Sequence, residues 1–365
     1  MKILQTITSL RIGGAEKLIT DMVPLFIEKG HTVDVLLFDG IETSFKQQLL
    51  NQNIKIISLG VNTFVYNPLL IFKLIPIIKQ YDIIHTHNTA CQYFVAIASK
   101  FLNHKKIKLI TTEHNTTNRR RNIHWLKPIE KWMYKQYNSI ICISDKAKEN
   151  LQEYIGSNYP IKTIYNGIDI QKFMHATPLN RDSLKLKDNF IICMVAGFRP
   201  QKDQDTLIKA MKRLPNNFHL WLIGDGERRK ELEILTQKEE LTNRVKFWGI
   251  RSDIPQLLKT ADIIVMSSHW EGLSLSSLEG MSSGKPFIAS DVDGLHEIVN
   301  GYGILFPEGN DKALSQIILK LMSDKTLYTN IAQKCQKRAE EFDIQKTVNY
   351  YLNNYQKILY NHNSK

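Results

Sequence analysis

The sequence predicts an α/β architecture of two doubly wound parallel domains facing each other across a cleft. Three observations carry that expectation. Short apolar runs rich in β-branched residues recur along the chain and alternate with helical patterns. The alternation runs through two series, separated by a polar, irregular stretch at 171–188. The chain has 365 residues and is 43% hydrophobic, enough for about two domains with real cores.

The first series opens with KILQTI at 2–7, read as a strand. A loop ending in Gly13 and Gly14 leads into a helix from about Ala15 to Lys29. A strand–Gly-Gly–helix junction lets a ligand come close to the backbone and to the helix N-terminus, although a lone Gly-Gly is a weak signal. Further strands follow at 32–38, 54–59, 83–87, 107–115 and 138–144, and the last at 161–169. Ser144 is placed to N-cap the helix after the sixth. Ligands of such sheets bind beyond the C-terminal ends of the strands, where His85, His87, His114 and Asn115 are expected. The second series has strands at 189–197, 218–224, 244–249, 261–268, 286–290 and 304–306. A helical tail carrying Tyr350, Tyr351 and Tyr355 has no strand after it and is expected to pack back on the first half. The expected boundaries are 1–170, a linker at 171–188, 189–340, and a terminal helix at 341–365.

The most informative stretch is HWEGLSLSSLEGMSSG at 269–284. It follows a buried strand, and its pattern turns helical from Ser274, with Leu275, Leu278 and Met281 on the apolar side. Glu271 then lies in the strand-to-helix loop and Glu279 about two turns along the helix. The first turn of such a helix offers free N–H groups and the positive end of a dipole, a ready site for phosphate. Two carboxylates repel phosphate alone, but accept hydrogen bonds from the hydroxyls of a sugar or ribose. The plainer alternative is a solvated loop acid beside an ordinary helix-surface acid.

Cys91, Cys142, Cys193 and Cys335 are far apart, which fits reduced thiols in a cytosol and argues against a zinc site. MKILQTITSL does not read as a signal peptide, and the apolar run at 69–78 is short and broken by Lys73 and Pro76. The net charge is +12, and residues 100–135 hold ten basic against two acidic residues. Arg119, Arg120 and Arg121 lie there, followed by Trp125, Trp132 and Tyr134. Such a patch suits anionic lipid, a pyrophosphate-bearing substrate or nucleic acid, or is simply a solvated face.

Seven motifs stand out together: GGAEKL at 13–18, GHTV at 30–33, YNGID at 165–169, QKDQDTLIKA at 201–210, LIGDGE at 222–227, VKFWG at 245–249 and EGLSLSSLEGMSSGKPFIASDVDGLHEIV at 271–299. On these motifs the chain resembles the glycosyltransferases of family four, with the GT-B fold of two facing Rossmann-like domains. The motifs span nearly the whole chain in the family's order. The resemblance implies a retaining, hexosyltransferase-like enzyme that takes a UDP- or GDP-sugar as co-substrate and needs no metal or other cofactor. It implies that Glu271 binds sugar hydroxyls, Glu279 the ribose, and the backbone of Gly272, Leu273 and Ser274 the diphosphate or sugar. Lys202 would neutralise the diphosphate, Gly249 and Ile250 would meet the base, and Gly13 and Gly14 would lie near the donor phosphates or the acceptor. His114 would stand beside the transferring sugar, with weaker claims for His85, His87 and Asn115. The family usually has an arginine five residues before the lysine; here that position is Gly197, and Arg199 is expected to act from two residues later. The acceptor would be a glycan or a lipid-pyrophosphate-linked saccharide in cell-surface polysaccharide assembly. The protein would be cytoplasmic; the 100–135 patch is compatible with a lipid-pyrophosphate-linked glycan at the inner membrane face and equally with a soluble anionic acceptor.

Competing classes fit less well. A nicotinamide oxidoreductase needs Gly-x-Gly-x-x-Gly straight after a strand, and GDGERR at 224–229 lacks the third glycine. A nucleotide-sugar epimerase can share the two-domain fold and is separated by product analysis. A nucleic-acid-binding protein has no use for Glu271 in a phosphate crevice, so no nucleic-acid partner is expected.

Overall fold

A computed structural model describes residues 1–102, 107–116 and 118–360 of the chain. It contains two compact units. The first is Met1–Gly167 together with the chain from Ile344 onward, and the second is Ile168–Asp343.

The described residues of the first unit form a parallel sheet of strands β1 (Lys2–Ile7), β2 (Thr32–Leu37), β3 (Ile56–Ser58), β4 (Ile83–Thr86), β5 (Lys108–Glu113), β6 (Ser139–Cys142) and β7 (Ile161–Thr163). Their order is β3-β2-β1-β4-β5-β6-β7. The second unit has β8 (Phe190–Val195), β9 (Phe218–Ile223), β10 (Val245–Gly249), β11 (Ile263–Met266), β12 (Phe287–Ser290) and β13 (Ile304–Phe306), in the order β10-β9-β8-β11-β12-β13. Both sheets are doubly wound. Their strand order reverses between β1 and β4 in one unit and between β8 and β11 in the other. Such reversal points open a crevice beyond the strands' C-terminal ends.

Helices cover both faces of these sheets, so their strands are buried on each side and read as continuous apolar runs. Leu4, Leu36 and Ile84 meet Leu74, Val95 and Met133 in one core cluster. In the second unit Gly280 lets the helix Leu275–Ser282 lie directly on β11 and β12; a Cβ there would sit 2.8 Å from Ile264 and 2.9 Å from Phe287.

The terminal helix Ile344–Tyr360 belongs to the first unit. It buries Tyr351 and Tyr355, with Tyr355 beside Phe26 at 6.0 Å between ring centroids, and leaves Tyr350 exposed. Among the described residues, no helix is long and apolar enough to cross a membrane.

Candidate functional site

In the second unit, the loops after β8 and β11 flank the reversal point and are tied together. The Gln201 carbonyl accepts from the His269 N–H at 2.8 Å, and Gln201 Nε2 donates to the Trp270 carbonyl at 2.6 Å. Ser267 Oγ donates to the Asp203 carbonyl at 2.8 Å. Asp203 adopts φ +46°, and its carboxylate accepts from Thr206 Oγ1 at 2.6 Å, capping the helix Gln204–Met211. This turn delivers Lys202 from one loop to Glu271 of the other, where Lys202 Nζ donates to Glu271 Oε1. Ser268 Oγ donates to the same oxygen at 2.7 Å. Glu271 is buried, at 5% exposure.

The helix Leu275–Ser282 begins at once. Ser274 is its N-cap, its Oγ accepting from the Ser277 N–H at 3.3 Å. Its first turn therefore presents backbone donors next to the Lys202–Glu271 pair. Glu279 is the fifth helical residue, just over one turn in rather than two, and is buried rather than on the helix surface. Both acids thus depart from the solvated alternative.

Arg199 is exposed, just before the 3₁₀ turn Pro200–Lys202. Its Nε lies 3.8 Å from the point a Cβ on Gly197 would occupy. The guanidinium arm therefore folds back over the position where an arginine was expected. Gly249 has φ +67° and its carbonyl accepts from the Gly224 N–H at 2.9 Å, joining the ends of β9 and β10, while Ile250 beyond it is exposed.

In the first unit, a cavity of about 570 Å³ lies beyond β1, β4 and β5. Thr8, Ser9, Asn88, His114 and Asn115 line it, with Phe64 and Tyr66 on its wall. Arg11 lines it from the loop that ends at Gly13 and Gly14, but those two glycines lie outside the lining. Asn88 takes φ +96° and donates from Nδ2 to Thr8 Oγ1 at 2.9 Å, holding the two strand-end loops together. Such a conformation in a non-glycine residue is strain of the kind concentrated at functional sites.

The histidines behind this cavity separate into two kinds. His85 lies inside β4 rather than at a strand end, and both His85 and His87 are fully buried and do not reach the cavity. Burial holds both far below the ordinary histidine range, with neighbouring histidine charge adding to the effect. His114 lines the cavity and is pushed down to about 4 by burial.

Two family descriptions match the chain: Glycosyl transferases group 1 over residues 177–355, and Glycosyltransferase Family 4 over residues 12–172. The chain belongs to glycosyltransferase family 4. It is 29% identical over 291 residues to a UDP-Gal:alpha-D-GlcNAc-diphosphoundecaprenol alpha-1,3-galactosyltransferase of Escherichia coli, covering 74% of each chain. It is 24% identical to the N-acetyl-alpha-D-glucosaminyl L-malate synthase of Bacillus anthracis, covering 95% of each. Among solved structures it is similar to Anabaena HepE in complex with UDP and glucose. That match has a TM-score of 0.86 and 25% identity, and covers 98% of this chain and 100% of that one. The fold of this glycosyltransferase is accordingly GT-B, from two Rossmann-like units.

The basic stretch of this glycosyltransferase is built differently from the expected open patch. Arg120 pairs with Glu130 at 2.7 Å, and Arg121 stands 3.9 Å from Glu113 while donating to the Thr116 carbonyl at 3.1 Å. Both acids are buried, and Tyr134 is a core residue whose hydroxyl donates to Glu113 at 2.7 Å. Two of the three arginines thus face inward because those carboxylates need countercharge. Residues 103–106 and 117 and the side chain of Arg119 lie outside what is described. Trp125 is exposed, as are Ile129 and Trp132 of the helix Lys127–Tyr134.

Sequence reasoning missed Ser268, Asp203 and Asn88. Ser268 was legible only as a small polar residue ending a buried run, and the unusual φ at Asp203 and Asn88 left no clear mark in the sequence.

Proposed function

We propose that this glycosyltransferase works with retention, moving a hexosyl group from a UDP-sugar to a hydroxyl of a glycan or lipid-linked saccharide. The observation that carries the reading is the lacing of the two loops that sets Lys202 against Glu271 and Ser268 at the start of the helix Leu275–Ser282. Lys202, Arg199 and the helix N–H groups supply donors for a diphosphate, and fixed donors of this kind stabilise leaving-group charge as it grows. Glu271 supplies acceptors for sugar hydroxyls and Glu279 for the ribose. Gly249 and Ile250 lie where the base would rest. The UDP in HepE favours uridine over guanosine.

The bond from the anomeric carbon to the diphosphate oxygen breaks, and the bond to the acceptor oxygen forms on the same face. The acceptor's proton passes to the departing phosphate, so no protein base is needed. The E. coli relative's diphosphoundecaprenol acceptor supports a role in assembling surface polysaccharide or another glycoconjugate. Contact with an anionic membrane face would then rest on Trp125, Ile129 and Trp132 with Lys131 and Lys135, rather than on Arg120 and Arg121.

Glu271→Gln tests the reading. It should keep the fold and lower turnover of a UDP-sugar by about 10²-fold or more. Glu279→Gln should act mainly on donor KM. Near-wild-type kinetics in both variants would sink the assignment, and an inverted anomer in the product would remove retention.

A further inference from the structure

A single run of hydrogen bonds passes behind the first unit's cavity. Gln5 Oε1 lies 2.7 Å from His87 Nε2, and Gln5 Nε2 donates to the Tyr355 hydroxyl at 3.4 Å. Tyr355 is 2.6 Å from His85 Nδ1, and His85 Nε2 is 2.8 Å from Thr112 Oγ1. At the other end, His87 Nδ1 is 3.0 Å from His114 Nε2.

These contacts have one direction. An amide oxygen only accepts, so His87 Nε2 must carry a proton. A neutral imidazole has one N–H, so His87 Nδ1 is a bare lone pair. His114 Nε2 must then carry the proton that points at it, which leaves His114 Nδ1 as the ring nitrogen open to a ligand. The Tyr355 hydroxyl receives the amide N–H and sends its own proton to His85 Nδ1, and His85 Nε2–H goes on to Thr112. The Gln5 amide sets the direction, and Tyr355 holds that amide from the terminal helix. Burial keeps the two inner imidazoles neutral, as the scheme requires.

We propose that this relay locks His114 in the Nε2–H tautomer, so that its Nδ1 accepts a hydrogen bond from a saccharide hydroxyl in the cavity, with Gln5, His87 and Tyr355 as positioning residues. The identity of that ligand rests on the glycosyltransferase reading above. A lone pair attracts a hydroxyl and repels an ionised carboxylate, which can only accept. The cavity's fixed charges point the same way: Arg11 stands 3.7 Å from Asp39, Arg120 pairs with Glu130 and Glu113 with Arg121, which suits a neutral polyol rather than an anion.

Long-range ¹H–¹⁵N spectra of histidine-labelled protein at pH 7 test the lock directly. Wild-type His114 should show a protonated Nε2 and a bare Nδ1. A panel of methyl hexosides should include at least one that shifts Nδ1, while acetate, which has no proton to donate at pH 7, leaves it in place. Tyr355→Phe frees the Gln5 amide to turn, so both tautomers should appear and kcat should fall about tenfold with donor KM unchanged. Gln5→Glu retains an acceptor for His87 and should keep the wild-type tautomer.

A protonated Nδ1 in the wild type would overturn the proposal. So would Tyr355→Phe with one tautomer and unchanged kcat, or no Nδ1 shift with any glycoside. The tautomer is readable in an inactive protein, so its failure is distinct from failure of the donor-site reading, which Glu271→Gln tests.

Discussion

Gly294→Ala should disable the proposed donor site without touching a charged group. Gly294 has φ +81°, and a Cβ there would lie 2.1 Å from the Gly272 carbonyl oxygen and 2.5 Å from that of Glu271. Both obstacles are backbone, so no flexible side chain can swing away. Restoring a tolerable contact moves the 271–272 backbone, or the loop bearing residue 294, by about 1 Å. A displacement of that size at reacting groups costs on the order of 10²-fold in rate. The left-handed backbone adds roughly 1–2 kcal/mol of strain for a residue with a Cβ. Initial-rate kinetics with a UDP-sugar, beside a thermal unfolding curve, should therefore show a loss of turnover far larger than the few degrees lost in Tm. An alanine variant with wild-type kcat/KM would refute the idea that this loop fixes the position of Glu271.

Stability should depend on pH through the buried histidines. Their native pKa values are depressed, so the unfolded chain binds more protons, and unfolding free energy should fall as pH drops from 6.5 toward 4. His114 alone accounts for about 3 kcal/mol at most, since one edge meets the cavity; a urea midpoint that stays flat from pH 7 to pH 5 would contradict this. Arg120→Ser strips the partner from buried Glu130 and should cost about 3 kcal/mol by denaturant titration, whereas replacing Trp125 and Trp132 by Ser should weaken binding to anionic vesicles at little cost in stability. Activity should survive EDTA if side chains and backbone N–H groups carry the diphosphate; an absolute Mg²⁺ or Mn²⁺ requirement at the transfer step would count against it.

The sheets were legible because parallel strands buried on both faces leave unbroken apolar runs such as FIICMV at 190–195. The candidate site's strand-to-helix loop was legible as a loop because Glu271, Ser274 and Glu279 lie within one short segment, where local spacing carries most of the geometry. What escaped depends on partners remote in sequence. His85 looked like a strand-end ligand because its partner Tyr355 is 270 residues away. Arg120 and Arg121 looked like surface charge because nothing local marks Glu113 and Glu130 as buried. Arg199 departs from the family's spacing, and only the fold of its side chain over Gly197 relates it to the expected position.

The ownership of the last helix has a consequence for biosynthesis. The first unit is closed by Ile344–Tyr360, which leaves the ribosome only after the whole second unit has been made. At ordinary elongation rates the intervening 175 or so residues take roughly ten to thirty-five seconds. For that interval the nascent first unit carries Gln5, His85 and Thr112 without the tyrosines that complete their hydrogen bonds. The second unit instead closes within its own span, its first residue pairing with its last: the Ile168 N–H donates to the Phe342 carbonyl at 2.9 Å, and Ile168 bridges Asp343. A premature stop near codon 343 would therefore spare the unit made last and leave the unit made first unfinished, exposing it to chaperones and proteases.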